Sequence, residues 1–159
     1  MSGLVMLGSQ AAGWVRGGRT AWRQRQRRAP SEPSLPAGLD AVLLLESARD
    51  HFLRLQTAWD SGDDAALAAL TTPEMLAELH ELRPALDTPP TRTEVLRLHA
   101  RLLGVDDLGS VLLASIEFSG TVRDRPDHGP APLRELWLMT RDHTPADAPW
   151  RLARQHALL

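Results

Sequence analysis

The chain has 159 residues, 43% of them hydrophobic, and a formal net charge of −2, which is typical of one globular domain with a buried core. It contains no cysteine, so disulfides, thiolate metal sites and cysteine nucleophiles are excluded. The absence of lysine and tyrosine further excludes a Schiff-base lysine and a tyrosine general acid.

The net charge conceals two regions of opposite sign. Residues 1–30 hold six arginines and no acidic residue, whereas residues 31–159 hold 12 arginines and 20 acidic residues. This composition predicts a disordered basic tail over residues 1–28, a proline-rich linker over residues 29–38 and a folded domain over residues 39–159.

The basic tail suits an anionic membrane surface, because tryptophan favours the interface and arginine binds lipid phosphates. Its composition is equally that of a mitochondrial transit peptide, or of the cytoplasmic flank of a membrane anchor. No apolar run in the sequence approaches the roughly 18 residues that a membrane-spanning helix needs. The predicted membrane-surface residues are Trp14, Arg16, Arg19, Trp22, Arg23, Arg25, Arg27 and Arg28.

The folded domain is predicted to begin with a long amphipathic helix. Asp40 is a suitable N-cap, and apolar residues then recur at helical spacing up to Trp59. Gly62 suits the left-handed position that ends such a helix. Two shorter helices are predicted over residues 65–70 and 73–83, the second of them beginning at a proline that follows a threonine cap.

From residue 93 onward the hydrophobic period changes from 3.6 to 2, which indicates strands. Four are predicted, over residues 93–102, 112–123, 133–141 and 150–157, with a turn over residues 104–109. The first strand is predicted to bury Leu96, Leu98, Ala100 and Leu102, and the second to bury Leu112, Ala114, Ile116, Phe118 and Val122. Short connections favour an antiparallel meander with the helices on one face, an α+β fold.

No residue pattern identifies a catalytic centre, a metal site or a cofactor site. The six histidines include no pair at the i, i+4 spacing of a helical metal site, and no Gly-x-Ser-x-Gly elbow or phosphate-binding glycine loop is present. His51 and His80 are predicted at helix surfaces. We therefore expect no catalytic residue, no metal and no cofactor.

Glu117 and Glu135 lie on consecutive predicted strands and are candidates for neighbouring carboxylates. Paired carboxylates can act as acid and base, but cross-strand ion pairs on a solvated sheet face are the simpler role. Their candidate partners are Arg97, Arg101, Arg123 and Arg154.

Large apolar side chains are few and are expected to lie between the helices and the sheet. They either fill the core or line a cavity for an apolar ligand or a partner's hydrophobic segment. We expect such a hollow to have no ionisable group at its base. The predicted pocket residues are Phe52, Leu55, Trp59, Met75, Leu79, Phe118, Trp137 and Trp150.

Seven short segments occur in the order found in a known family. They are Phe52–Asp63, Thr72–Met75, Thr93–Val95, Leu102–Val105, Ala114–Gly120, Glu135–Trp137 and Trp150–Ala153. Together they resemble the Tim44-like domain, a family named for the membrane-bound subunit of the mitochondrial inner-membrane import motor. The run Leu-Gln-x-Ala-Trp-Asp-x-Gly-Asp over residues 55–63 indicates the bacterial branch of that family.

The resemblance implies a cone-shaped α+β fold of the nuclear-transport-factor-two-like class, with an apolar pocket between helices and sheet. It implies no catalysis, because the family is not known as catalytic and its mitochondrial member scaffolds partner proteins at the inner membrane. Bacterial members usually carry a membrane span ahead of the domain, and this sequence has none there. We therefore expect peripheral binding, or anchoring through a longer form.

The function expected from this resemblance is a membrane-associated binding or scaffold domain at the cytoplasmic face of a bacterial inner membrane. Its expected partners are anionic lipids and a protein or lipid-like apolar ligand. Two alternatives stay open. One is a small-molecule isomerase or dehydratase of the same superfold. The other is binding to RNA or the ribosome through the basic tail, since a mitochondrial ribosomal protein shares this domain.

Overall fold

The computed structural model describes residues 35–82, 93–123, 128–145 and 147–158. The strands form one antiparallel sheet in the order β1-β2-β3-β4, and the helices pack on one face of it, so the predicted α+β fold is confirmed. The elements are α1 (Ala41–Ser61), α2 (Asp64–Leu70), α3 (Pro73–Leu82), β1 (Glu94–Asp107), β2 (Val111–Arg123), β3 (Ala131–Asp142) and β4 (Arg151–Ala157).

Local sequence explains where the first two helices begin and end. The Asp40 carboxylate accepts hydrogen bonds from two amides of the first turn of α1, as its position predicts. Gly62 ends α1 with a φ of 69°, a left-handed conformation that favours glycine. Asp63 then accepts a hydrogen bond from the Ala66 amide and caps α2. The chain therefore re-enters a helix directly after the break.

Two hydrogen bonds, each donated by a backbone amide, tie the helices to the sheet. The Thr93 amide donates to Oδ2 of Asp60 at 2.8 Å, which fixes the end of α1 at the start of β1. The Thr72 amide donates to the carbonyl of Leu152 at 3.0 Å, which fixes the α2–α3 junction beside β4. The helical layer is thus held at two edges of the sheet.

The register of the strands defines two faces of the sheet. Residues paired across antiparallel strands share a face, and the pairs Ile116–Trp137 and Phe118–Glu135 belong to the face under the helices, which we call the covered face. The alternate residues form the open face, where Glu117 pairs in register with Arg101 and Leu136. All five apolar residues predicted to face the core from β2 lie on the covered face.

β1 departs from strict alternation at two bulges. One lies between Val95 and Arg97, and it leaves Leu96 42% exposed, so the predicted burial of that residue is wrong. The second lets the strand continue through Gly104 to Asp107, where a turn was predicted. A bulge adds one residue to one strand and shifts the phase of all that follows.

Gly120 is required where the first bulge brings β1 close to β2. A Cβ atom built on Gly120 would lie 2.0 Å from the carbonyl oxygen of Arg97. That oxygen is backbone, so it cannot rotate away as a side chain would. Glycine at this position therefore permits the close approach of the two strands.

Candidate functional site

The structure brings the predicted pocket residues together in one buried cluster between the helices and the covered face. Phe52, Phe118 and Trp137 form its centre, with ring centroids 4.8 to 5.1 Å apart. All three side chains are fully buried. We call the whole set the pocket cluster: Phe52, Leu55, Trp59, Met75, Leu79, Phe118, Trp137 and Trp150. Contacts at these ring distances are those of close-packed aromatic side chains.

A carboxylate lies on the covered face beside this cluster. Glu135 is 1% exposed, and its Oε1 accepts a hydrogen bond from the Trp137 indole at 3.0 Å. The Gln155 carboxamide donates a second hydrogen bond to the same oxygen. Among the described residues, neither Oε2 of Glu135 nor Oε1 of Gln155 has a hydrogen-bond partner. The site therefore contains two buried oxygens that could each accept a further donor.

Burial changes the acid–base chemistry of this carboxyl. Desolvation raises the pKa of Glu135 to about 7, against the opposing effect of the hydrogen bonds from Trp137 and Gln155. The prediction that Glu135 forms an ion pair on a solvated face is wrong. An ionisable group also lies beside the pocket cluster, where none was expected. Near neutral pH this side chain is poised to hold or release a proton.

Glu117 forms the cross-strand ion pairs that were predicted for both glutamates, although its side chain is only 11% exposed. It lies on the open face, where one carboxylate oxygen is 3.4 Å from Arg101 and the other is 3.2 Å from Arg134. Arg101 was among the predicted partners, whereas Arg134 was not. Arg123, a third predicted partner, pairs with Glu94 instead, at 2.9 Å.

A groove opens on the outer surface of the helical layer, and sequence analysis did not predict it. It lies between α1 and α2 and encloses about 420 Å³, within the range of ligand-binding sites. Two of its residues, Ala58 and Leu70, also belong to the buried core. We call it the helical groove; its residues are Leu53, Arg54, Thr57, Ala58, Ser61, Asp63, Ala66, Ala69 and Leu70.

His51 holds the end of α2 against α1 and so shapes the helical groove. Its Nε2 lies 2.7 Å from the carbonyl oxygen of Leu70. Burial lowers the pKa of His51 below its ordinary value, so the neutral ring donates from Nε2 to that carbonyl. The predicted surface position of His51 is wrong, since only 8% of the residue is exposed.

The remaining sequence predictions concern the tail, metal sites and membrane spans. The eight predicted membrane-surface residues lie outside the described residues. In the ranges that the structure describes, no group of three or more His, Asp or Glu side chains could hold a metal ion. In the same ranges no helix is long and apolar enough to cross a bilayer.

Comparison with known proteins gives one family and a set of similar folds. The family model described as "Tim44-like domain" matches residues 33–157. Comparison of the sequence with curated proteins gives no match.

Two solved structures illustrate the similar folds. A ketosteroid isomerase-like protein from Erwinia carotovora atroseptica is 15% identical, with a TM-score of 0.41, over 72% of this chain and 96% of that chain. The S. rosetta CaMKII hub is 18% identical, with a TM-score of 0.39, over 77% of this chain and 97% of that chain.

Proposed function

Because this chain belongs to the Tim44-like domain family, we propose that it is a non-catalytic binding domain that holds an apolar ligand at a membrane surface. The observation that carries the proposal is the helical groove, an apolar cleft continuous with the buried core at Ala58 and Leu70. Soluble domains usually bury such surface, and an exposed apolar cleft typically marks a binding site. The proposed location is the cytoplasmic face of a bacterial inner membrane.

The dimensions of the helical groove restrict its ligand. Residues 53–61 line it along α1, a distance of about 12 Å at the rise of an α-helix. That length accommodates one acyl-chain segment or one row of apolar side chains from a protein helix. Arg54, which pairs with Asp50 at 3.0 Å, and Asp63, which caps α2, place one charge of each sign at its edge.

The pocket cluster is the proposed interior of the same site. The helical groove meets it at Ala58, which lies between Leu55 and Trp59 on α1. A ligand that moves α2 away from α1 would contact the aromatic side chains behind Ala58. The hydrogen bond between His51 and Leu70 opposes that movement, so breaking it is part of the free energy needed to open the site.

Groove binding is tested with one fluorescent fatty acid and one apolar helical peptide, titrated separately. Leu53→Asp places a charge in the helical groove at a side chain that is already 45% exposed. Leu43→Asp is the matched control, since Leu43 is 63% exposed on the same helix and lies outside the groove. We expect Leu53→Asp to weaken binding of one probe about tenfold or more, with the control unchanged. Equal affinities for both variants would end the groove proposal, and the probe affected distinguishes lipid from peptide.

Membrane association is proposed to use the basic tail. Flotation of the full chain with phosphatidylcholine vesicles that contain phosphatidylglycerol measures it, because each arginine near an anionic surface adds about 1 kcal/mol. Replacing the six tail arginines by glutamine should remove most of the bound fraction, and 1 M salt should do the same. A wild-type chain that stays with the unbound fraction at low salt would contradict this part of the proposal.

The buried Glu135 supports one alternative, a small-molecule isomerase or dehydratase. A carboxyl with a pKa of about 7 and an unpartnered Oε2 has the properties of a general acid or base. Solvent deuterium incorporation into a panel of small carbonyl compounds tests it. Incorporation by the wild-type protein that is lost in Glu135→Gln would favour the enzyme. Equal background with both proteins would favour binding without catalysis.

A further inference from the structure

The open face of the sheet concentrates positive charge. Six arginines project from it: Arg97, Arg101, Arg123, Arg134, Arg151 and Arg154. Four acidic residues share the face: Glu94, Asp106, Glu117 and Asp142. Glu117 pairs with Arg101 and Arg134, and Glu94 pairs with Arg123. In the described part of the chain, no carboxylate lies within ion-pair distance of Arg97 or Arg154. The open face therefore carries a formal charge of +2.

The helical layer on the other side of the sheet has the opposite sign. Residues 40–82 contain nine acidic residues and two arginines, a formal charge of −7. The two sides of the domain are therefore electrostatically opposed, although the net charge of the whole chain is only −2. A molecule with this distribution orients in the field of a charged surface.

The side chains beneath the arginines make the open face a continuous surface. Leu136 and Ser115 lie on this face and yet are 1% and 0% exposed, although the helices pack on the opposite side. Long arginine side chains can cover such residues with their aliphatic stems while the guanidinium groups stay in water. This face therefore combines buried side chains in the sheet with exposed charged groups above them.

Two kinds of occupant fit this face poorly. A two-fold contact with a second copy would bring together two faces that both carry net positive charge, which is unfavourable. Single-stranded nucleic acid is bound by basic grooves with aromatic side chains on which bases stack, and the aromatic residues of the described strands, Phe118 and Trp137, point to the covered face. A broad surface of phosphate groups requires neither pairing nor stacking.

We propose that the open face lies against a membrane surface of anionic phospholipids, with the helical layer and its groove turned away from the lipid. This inference deepens the proposed function and rests on its membrane association. Arginine forks bind phosphate oxygens in pairs, and repulsion of the acidic helices by the same surface fixes the orientation. The 34 residues that precede Leu35 carry six further arginines, and a chain of that length can reach the same surface.

The first experiment measures vesicle partitioning of the full chain at low salt, with phosphatidylcholine alone or with phosphatidylglycerol added. Arg97→Glu/Arg154→Glu reverses two charges on the open face and leaves the pairs of Glu117 intact. Val42→Glu/Leu43→Glu/Arg49→Glu is the control, because it makes the same charge change at exposed positions of α1 that lie outside the helical groove. We expect the open-face variant to lose at least about tenfold in partition coefficient on anionic vesicles, and the control to lose less than twofold.

The outcomes separate this inference from the proposed function. If the tail variant loses binding while the open-face variant binds as the wild type does, the tail acts alone and the inference is overturned. If the wild type binds no vesicle, both proposals fail. If the open-face variant loses affinity for a poly(U) RNA and keeps its affinity for vesicles, the face is a nucleic-acid surface and the membrane assignment is wrong.

The second experiment reports orientation directly. The chain has no cysteine, so Ser119→Cys on the open face, or Thr57→Cys on the helical layer, provides a single labelling site. An environment-sensitive fluorophore at residue 119 should shift to the blue on anionic vesicles, and one at residue 57 should not. The reverse pattern, or equal shifts at both positions, would refute the orientation. Thermal unfolding of each variant checks that the fold is retained.

Discussion

The covered and open faces of the sheet give two glutamates different environments, although the two residues are only one register step apart. Glu117 and Glu135 lie on neighbouring strands, in adjacent pairs of the ladder. Alternation sends Glu117 to the open face, where two arginines meet it. It sends Glu135 under the helices, where an indole and a carboxamide are its partners. The same side chain is therefore an ion-pair partner on one face and a buried acid with a raised pKa on the other.

The largest expected difference between the faces comes from side-chain truncation. Phe118→Ala removes a ring that contacts Phe52 and Trp137 in the pocket cluster and should cost about 3–5 kcal/mol of unfolding free energy. Ser119→Ala, one residue further on the open face, should change it by less than about 0.5 kcal/mol. Urea denaturation at pH 7 measures both. Similar losses would mean that the two faces do not differ in packing as described.

The next effect is the pH dependence of stability that Glu135 confers. Its pKa is about 7 in the folded protein, against an ordinary value of 4.5, so between these values the folded state holds a proton that the unfolded state has released. The stabilising effect is complete below about pH 4.5 and is lost as pH rises through 7. The total loss is about 3 kcal/mol, from 1.36 kcal/mol per pKa unit.

Glu135→Gln removes this titration and keeps an oxygen that can accept from Trp137. We expect the variant to match the wild type near pH 4 and to exceed it by about 3 kcal/mol at pH 8, measured by urea denaturation across this range. A wild-type chain whose stability rises between pH 5 and pH 8, with no difference from Glu135→Gln at pH 8, would show that the carboxyl is ionised and solvated.

Much of the fold follows from the sequence, but the assignment of β3 side chains to the covered or the open face does not. β2 alternates clearly, and its buried side was predicted correctly. In β3, apolar residues occur in both phases, with Trp137 and Met139 on the covered face and Leu136 and Leu138 on the open face. Period-2 analysis then cannot assign Glu135 to a face, because Leu136 is buried although it lies on the face opposite to the helices.

The helical groove was missed for a different reason. It depends on the spacing between α1 and α2, which no periodicity within one helix encodes. One signal was present in the sequence: Leu53 is an apolar residue on the polar side of α1, beside Arg54. A single exposed leucine is common on protein surfaces, so this signal alone could not identify a site.

A third test concerns the first bulge of β1, between Val95 and Arg97, because it determines on which face the following β1 side chains lie. Gly120→Ala places a Cβ atom 2.0 Å from the carbonyl oxygen of Arg97 and should cost about 1–3 kcal/mol as the strands separate. Gly104→Ala is the matched control in β1, because a Cβ atom there meets nothing within 4 Å. Thermal and urea unfolding of both variants measure the difference. A Gly120→Ala protein as stable as Gly104→Ala would show that the strands do not approach so closely.

The smallest expected effect is that of Glu117→Gln, and it should have the opposite sign to Glu135→Gln at pH 8. Arg101 and Arg134 are 57% and 45% exposed at their side chains, whereas that of Glu117 is 11% exposed. Water screens the guanidinium end of each ion pair, so each contributes about 0–1 kcal/mol. We expect a loss of about 1 kcal/mol or less, which shrinks further in 1 M salt, measured by urea denaturation at pH 8. The same change from glutamate to glutamine, made at two adjacent pairs of the β2–β3 ladder, would then have opposite effects. It would destabilise the protein slightly at Glu117 and stabilise it strongly at Glu135. A large loss from Glu117→Gln that persists in high salt would mean that the open face is buried, and would remove the surface on which the proposed lipid contact depends.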